Sequence, residues 1–231
     1  MNAVLFCAVR LVLAVLLIQP AAVSMKPSKP KNQETKAQME LKPIQLLEPK
    51  TDGGMPLMQA LKARKSTREY SAEKLPLQVL SNMLWAAWGT NRPDGKRTAP
   101  SAMNLQEIDV YVALAEGLYL YDAKANILKP VLAKDIRAIT GGQPFVKDAP
   151  VNLVYVADYS KMGRVSDKDK AFYSAANTGF IGQNVYLFCA SEGLVTVVRG
   201  YVDKPALAKV MSLRPDQQVI LAQTVGYPKK K

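Results

Sequence analysis

Hydrophobic positions along this chain fall into a few separable periods. Leu77, Leu80, Met83, Leu84, Ala87 and Trp88 recur three and four residues apart, which predicts an amphipathic helix over residues 76–89, stopped at Gly89. Met58, Leu61 and Lys62, following Pro56, predict a shorter helix that ends near Arg64. Ile108, Val110, Val112 and Leu114 alternate as in a strand, Glu116-Gly117 turns the chain, and residues 118–121 return as a second strand. Residues 151–157 are apolar almost without a break, the pattern of a central strand covered on both faces. The longest predicted helix spans residues 167–192, with Ser166 or Asp167 as its cap and Gly193 as its stop. Gly179 and Gly182 lie in its middle. Each glycine weakens a helix by about 1 kcal/mol relative to alanine, so the pair implies close backbone approach to another element. A strand at 194–199, a helix after Asp203-Lys204-Pro205 and a last strand near 218–226 complete the pattern. Strands and helices mix without strict βαβ alternation, so the fold class is read as α+β.

The amino-terminal residues follow a different grammar. Arg10 precedes an apolar run, Leu11 to Ile18, and the small residues Ala22 and Ser24 suit a cleavage site after Ser24. This is the order of a signal peptide, and so short a run cannot span a bilayer as a helix. The alternative, a membrane anchor over residues 3–18, carries Arg10 in its middle. The sequence therefore predicts an exported protein, periplasmic or secreted, without stable membrane insertion. Residues 25–54, basic and proline-containing with little periodicity, are read as a flexible tether, and residues 55–231 as the folded domain.

Composition then narrows the chemistry. There is no histidine, and the cysteines are Cys7 and Cys189. A Ser-His-Asp or Cys-His site needs an imidazole, and structural zinc needs about four Cys or His ligands. A carboxylate site, a hard metal or a bound cofactor must carry any catalysis. Cleavage after Ser24 removes Cys7, and the apolar surroundings of Cys189 predict a buried, inert thiol. The formal net charge is +12. The lysines are scattered, however, and no basic face interleaved with aromatics appears. That argues against a nucleic-acid partner or a general polyanion binder and for a basic protein whose charge has one local use.

Three segments could carry that use. Arg64-Lys65-Ser66-Thr67-Arg68 places three cations and two hydroxyls within five residues, either a phosphate grip or a solvated basic turn. In Arg97–Gln106, small residues let a flat ligand approach the backbone, and Asn104 and Gln106 offer amides to a heterocycle edge; the plain reading is a polar loop capping a helix. The tail from Gly226 through Lys229 and Lys230 is either a frayed terminus or a set of lysines delivered to the anion held by Arg64 and Arg68. Tyr70, Trp85, Trp88, Tyr173 and Tyr186 read as core or interface packing, the alternative being that one of them stacks on a ligand.

In this combination and order the chain resembles the nitroreductase family of FMN enzymes, within it the branch of thiazole- and oxazole-forming dehydrogenases. The resemblance covers roughly residues 55–228 and rests on Arg64–Tyr70, Leu84–Arg92, Arg97–Ala102, Gly182–Leu187 and Val225–Pro228. It implies a nitroreductase-like fold, a central mixed or antiparallel sheet flanked by helices, in a homodimer with FMN at the subunit interface. Arg64, Lys65, Ser66 and Arg68 would hold the phosphate and the N1/O2 side of the flavin. Pro100, Ser101, Ala102 and Asn104 would come from the second copy. Gln143 would touch the ring edge, Gly200 would bring a backbone N–H near flavin N5, and Lys229 and Lys230 would complete the phosphate site. Arg199 stands where many nitroreductases have Glu, which alters the polarity around the ring. The implied function is an FMN-dependent oxidoreductase. It moves two electrons, as hydride at flavin N5, between a donor and an electron-poor small molecule such as a nitroaromatic or quinone. A non-catalytic flavin- or ligand-binding protein on the same scaffold is the alternative.

Overall fold

The computed structural model describes residues 40–230; the expected signal segment, residues 25–39 of the expected tether and Lys231 lie outside the described residues. The strands are β1 (Ile44–Gln45), β2 (Ile108–Ala113), β3 (Leu118–Asp122), β4 (Ile127–Leu132), β5 (Val151–Asp158), β6 (Val195–Arg199) and β7 (Gln217–Gly226). They pair antiparallel in one sheet with the order β1-β4-β3-β2-β5-β7-β6. The helices are α1 (Leu57–Ala63), α2 (Leu77–Trp88), α3 (Asp167–Ser191) and α4 (Lys204–Val210). The architecture is α+β, an antiparallel sheet flanked by helices, as the sequence predicts.

Both faces of the sheet are covered. On one, Leu80, Met83 and Leu84 of α2 and Ile181 and Val185 of α3 meet Val110, Leu153 and Tyr155. On the other, Leu207 of α4 and Met211 just beyond it meet Tyr111, Val154 and Val156. Every residue of β5 is therefore buried, which is why its sequence is apolar apart from Asn152 and Asp158 rather than alternating. Each large aliphatic side chain so buried contributes roughly 1.5–3 kcal/mol.

Helix α3 begins where expected: the Ser166 hydroxyl accepts the Asp169 N–H at 3.2 Å, and Asp167 and Asp169 lie in the first turn, where the helix dipole favours negative charge. Gly193, at φ +69°, ends it, and the Leu194 N–H reaches back to the Cys189 carbonyl at 2.9 Å. Gly182 is closely approached: a Cβ there would lie 3.2 Å from Val198 of β6. Gly179 faces solvent in the single chain, so only one of the two glycines makes the expected approach.

The expected tether does not extend to residue 54. Ile44 and Gln45 pair with Leu128 and Ile127, and Leu46 is 3% exposed within the core. The Ile44–Leu47 quartet is too short to show a period, yet burying Leu46 is enough to hold it down. Strand β4 is the other unpredicted element. It contains Pro130, which cannot donate to a ladder. Because β1 covers only Ile127 and Leu128, no outer partner at Pro130 is left unmet, and a register shift between Leu118 and Tyr119 accommodates it on the inner side.

Candidate functional site

Helix α1 ends at Ala63, and Arg64 leaves it in extended geometry. The chain then runs along the outer edge of β6: Ser66 bridges Thr196, and the Thr67 N–H donates to the Thr196 carbonyl at 3.0 Å. Tyr70 pairs with Pro228, and the Ser71 N–H donates to the Tyr227 carbonyl at 2.9 Å, so Lys229 and Lys230 emerge beside the same segment. Tyr186 of α3 organises the start of this cradle. Its ring lies 5.3 Å under the Arg64 guanidinium, and its hydroxyl is 2.8 Å from the Ser66 hydroxyl. That hydroxyl also accepts the Val198 N–H at 2.9 Å. Donating its own proton to Ser66 leaves the Ser66 O–H free for an outside acceptor. Arg64, Lys65, Arg68, Lys229 and Lys230 form no ion pair with a carboxylate of the described residues.

Four residues along β6 from Thr196, roughly 13 Å, lies a second cluster. Gly200 is exposed, with only the Leu221 side chain near the place of an added Cβ, at 3.7 Å. Gly142 donates to the Tyr201 carbonyl at 3.1 Å, which ties the Thr140–Gln143 loop to the exit of β6. Beneath that loop Arg199 is only 3% exposed. Its Nη1 donates to the Thr140 carbonyl at 2.6 Å and its Nη2 to Asn152 Oδ1 at 3.0 Å. Its Nε and the Gln143 Oε1 are buried without partners among the described residues. Burial pulls the Arg199 pKa down to about 10, partly opposed by the Tyr70 hydroxyl, so the guanidinium stays charged at neutral pH. A Cβ at Gly141 would lie 1.8 Å from Arg199 Nη1, so a side chain there would require the guanidinium to shift.

The Pro100–Gln106 segment is held elsewhere. Met103, Asn104 and Gln106 all adopt positive φ, at 51°, 52° and 49°. Strain of this kind persists only where surroundings over-determine it. Here Asn177 of α3 accepts the Ala102 N–H at 3.2 Å and donates to Glu107 at 2.9 Å. Ser101 accepts the Gln106 N–H at 2.8 Å, and Arg97 Nε donates to Gln106 Oε1 at 2.8 Å. Glu107 is completely buried and takes hydrogen bonds from Asn177 and Ser101.

The nitroreductase family profile matches residues 61–227. The chain belongs to the nitroreductase family. A crystal structure from Ralstonia eutropha JMP134, described as that of a nitroreductase, is 47% identical, with a TM-score of 0.79 over 82% of this chain and 90% of that one. A Methanocaldococcus jannaschii protein named as a nitroreductase is 31% identical over 71% of this chain and 86% of its own. The iodotyrosine deiodinase of Nematostella vectensis is 25% identical over 74% of this chain and 66% of its own.

In this nitroreductase-family oxidoreductase the residues singled out from sequence form two groups. The segments that carry Arg64, Lys65, Ser66 and Arg68, and Lys229 and Lys230, run side by side at the outer edge of β6, while Gln143 lies against Gly141 and Arg199, whose next residue is Gly200. Pro100, Ser101, Ala102 and Asn104 do not join them within one chain: their anchor Asn177 lies nine residues, about 13 Å of helix, from Tyr186. Sequence reasoning missed Glu107 and Asn177, which are seventy residues apart and share no motif. It also read Tyr186 as packing or, less favoured, ring stacking on a ligand, and not as a hydrogen-bonding group. The signal for Tyr186 was helical spacing: it follows Gly182 by one turn and lies on the same side of α3 toward β6.

Proposed function

We propose that the protein is an FMN-dependent oxidoreductase that works as a homodimer, moving two electrons between a donor and an electron-poor small molecule such as a nitroaromatic or quinone. The observation that carries this reading is the set of cations without carboxylate partners at the edge of β6. FMN phosphate brings close to two negative charges. Arg64, Lys65, Arg68, Lys229 and Lys230 can match them, and Ser66, its hydroxyl oriented by Tyr186, adds a neutral donor. The separation between this cradle and Gly200 is comparable with the length of an extended flavin mononucleotide. Bound FMN would supply the hydride acceptor and donor at its N5 atom. Gly200, free of side-chain bulk, would let the ring approach the backbone, and Gln143 would offer its unpartnered carbonyl to the ring edge.

The strained 100–104 segment needs a second copy to reach a cradle. The outer face of α3 suits that contact: Phe172, Gly179 and Phe180 are exposed there and leave room for a second helix. Export follows from the signal-like order of residues 1–24, and is tested by amino-terminal sequencing of the protein recovered from the periplasm or medium.

The purified protein should be yellow. If it is isolated without flavin, it should bind FMN on titration with one equivalent per chain. Arg64→Ala with Arg68→Ala should abolish retention of flavin through gel filtration while leaving the thermal melt cooperative. A colourless protein that takes up no FMN would refute the reading. With FMN bound, dithionite-reduced protein should be reoxidised by nitrofurazone faster than free reduced FMN is.

A further inference from the structure

Arg199 is a buried charge with neutral partners. Its guanidinium donates to a backbone carbonyl, an amide oxygen and, at 3.5 Å, the Thr140 hydroxyl, and its Nε has no acceptor among the described residues. Asn152 is committed in turn: its Oδ1 also accepts the Thr224 hydroxyl at 2.6 Å, and its Nδ2 donates to the Val146 carbonyl at 2.8 Å. The Tyr70 hydroxyl could in principle supply a negative charge nearby. Burial raises its pKa, however, and it donates to the Thr67 carbonyl, so it stays neutral at pH 7. Removing a charge from water without a counter-ion is unfavourable, and the field of such a charge is weakly screened inside a protein. Among the described residues no carboxylate pairs with it.

The charge sits at one defined place. Gly141 lies directly against the guanidinium, Gln143 turns its unpartnered carbonyl into the same corner, and exposed Gly200 is the next residue along the chain. A ligand resting on the Gly200 backbone and the Thr140–Gln143 loop that covers Arg199 would therefore lie close to a fixed positive charge. Two-electron reduction of a flavin ring with uptake of one proton leaves that ring with one negative charge, whereas the oxidised ring has none. We propose that Arg199 makes this site bind reduced FMN more tightly than oxidised FMN, the reduced ring supplying the counter-charge that the protein lacks. This rests on the FMN site proposed above. Arg199 would act here as a fixed charge near the ring, and no proton or electron would pass through it.

The test is a redox titration of the FMN-loaded wild type, Arg199→Gln and Arg199→Lys at pH 7, with xanthine and xanthine oxidase as reductant and a reference dye. Thermal melts and the affinity for oxidised FMN are measured alongside. In the wild type, reduced FMN should bind at least tenfold more tightly than oxidised FMN, a midpoint about 30 mV or more above that of free FMN for a two-electron couple. R199Q should lower that ratio at least tenfold, a fall of about 30 mV, and R199K should recover most of it. A folded, FMN-loaded R199Q with the wild-type midpoint overturns the inference. So does a wild-type midpoint at or below that of free FMN, whether or not R199Q folds. A protein that binds no FMN in either oxidation state overturns the reading beneath it as well.

Discussion

Tyr186→Phe separates the hydroxyl that organises the cradle from the ring that carries it. The phenylalanine ring stays under Arg64, so the cation–π contact survives. Lost are the 2.9 Å acceptor for the Val198 N–H and the 2.8 Å contact with Ser66. Leaving a half-buried N–H unmet costs about 1–2 kcal/mol. For a domain of this size that lowers Tm by roughly 2–8 °C, measured calorimetrically without FMN. Binding should fall separately. A hydrogen bond to a charged phosphate contributes about 1.5 kcal/mol or more, so Ser66→Ala should weaken FMN binding about tenfold by fluorescence titration. Y186F removes only the orientation of Ser66 and should weaken binding by less. The double variant should bind no more weakly than S66A alone, because both changes act on one hydroxyl. Additive losses in the double variant would refute the claim that Tyr186 aims Ser66.

Other expectations concern acid, thiol reactivity and the core. Burial raises the Asp158 carboxyl, but hydrogen bonds from Ser160 and Arg214 and the charges of Lys161 and Arg214 outweigh it and hold its pKa below the ordinary 3.8. The resulting stability is present above about pH 4 and lost as pH falls through the depressed folded value. Asp158→Asn should therefore lower Tm at pH 7 and narrow the gap to the wild type below pH 3. Burial pushes the Cys189 thiol well up, against a weaker opposing hydrogen bond involving Thr196, so the folded protein should not react with Ellman's reagent at pH 8. In guanidinium one thiol should titrate if Cys7 has been removed, and two if it is retained. Leu153→Ala, at a side chain with no exposure in the centre of the sheet, should cost about 3 kcal/mol and lower Tm by roughly 6–12 °C.

The elements that were legible in the sequence are those whose burial repeats. Helix α2 shows its apolar positions three and four apart, and β5 shows its burial on both faces as an apolar run broken only by Asn152 before its last residue. Helix α3 announces both ends chemically, through Ser166 and Gly193. Strands β1 and β4 were illegible for opposite reasons: two residues have no period, and Pro130 carries a signal against strand that only an unpaired outer side removes. The cluster of cations at the β6 edge was legible because Arg64, Lys65 and Arg68 lie within five residues, and the Tyr70–Pro228 bridge brings the tail beside them. Arg199 was visible as an unusual residue, but its burial was not. The remaining clue was its strand neighbours: Val195 and Val197 share its face of β6, and Tyr70 and Phe145 pack over that face. The bonds from Asn177 to Glu107 and to Ala102 exist only once α3 lies across the start of β2.

The Ser66–Thr67 bridge onto Thr196 has an effect unrelated to ligands. An open sheet edge is a template on which foreign chains can add strands and start aggregates. At one end of this sheet the outermost strand is only two residues long. At the other, Thr67 takes up the outward Thr196 carbonyl and Tyr186 the outward Val198 N–H, with cationic side chains on either side. The segment proposed to grip the anion is thus also the guard of the exposed border, and like-charged guards repel one another between molecules. Changes that peel residues 64–70 away from β6 should compromise solubility together with ligand retention, so a variant that precipitates and one that loses its colour can share a single cause.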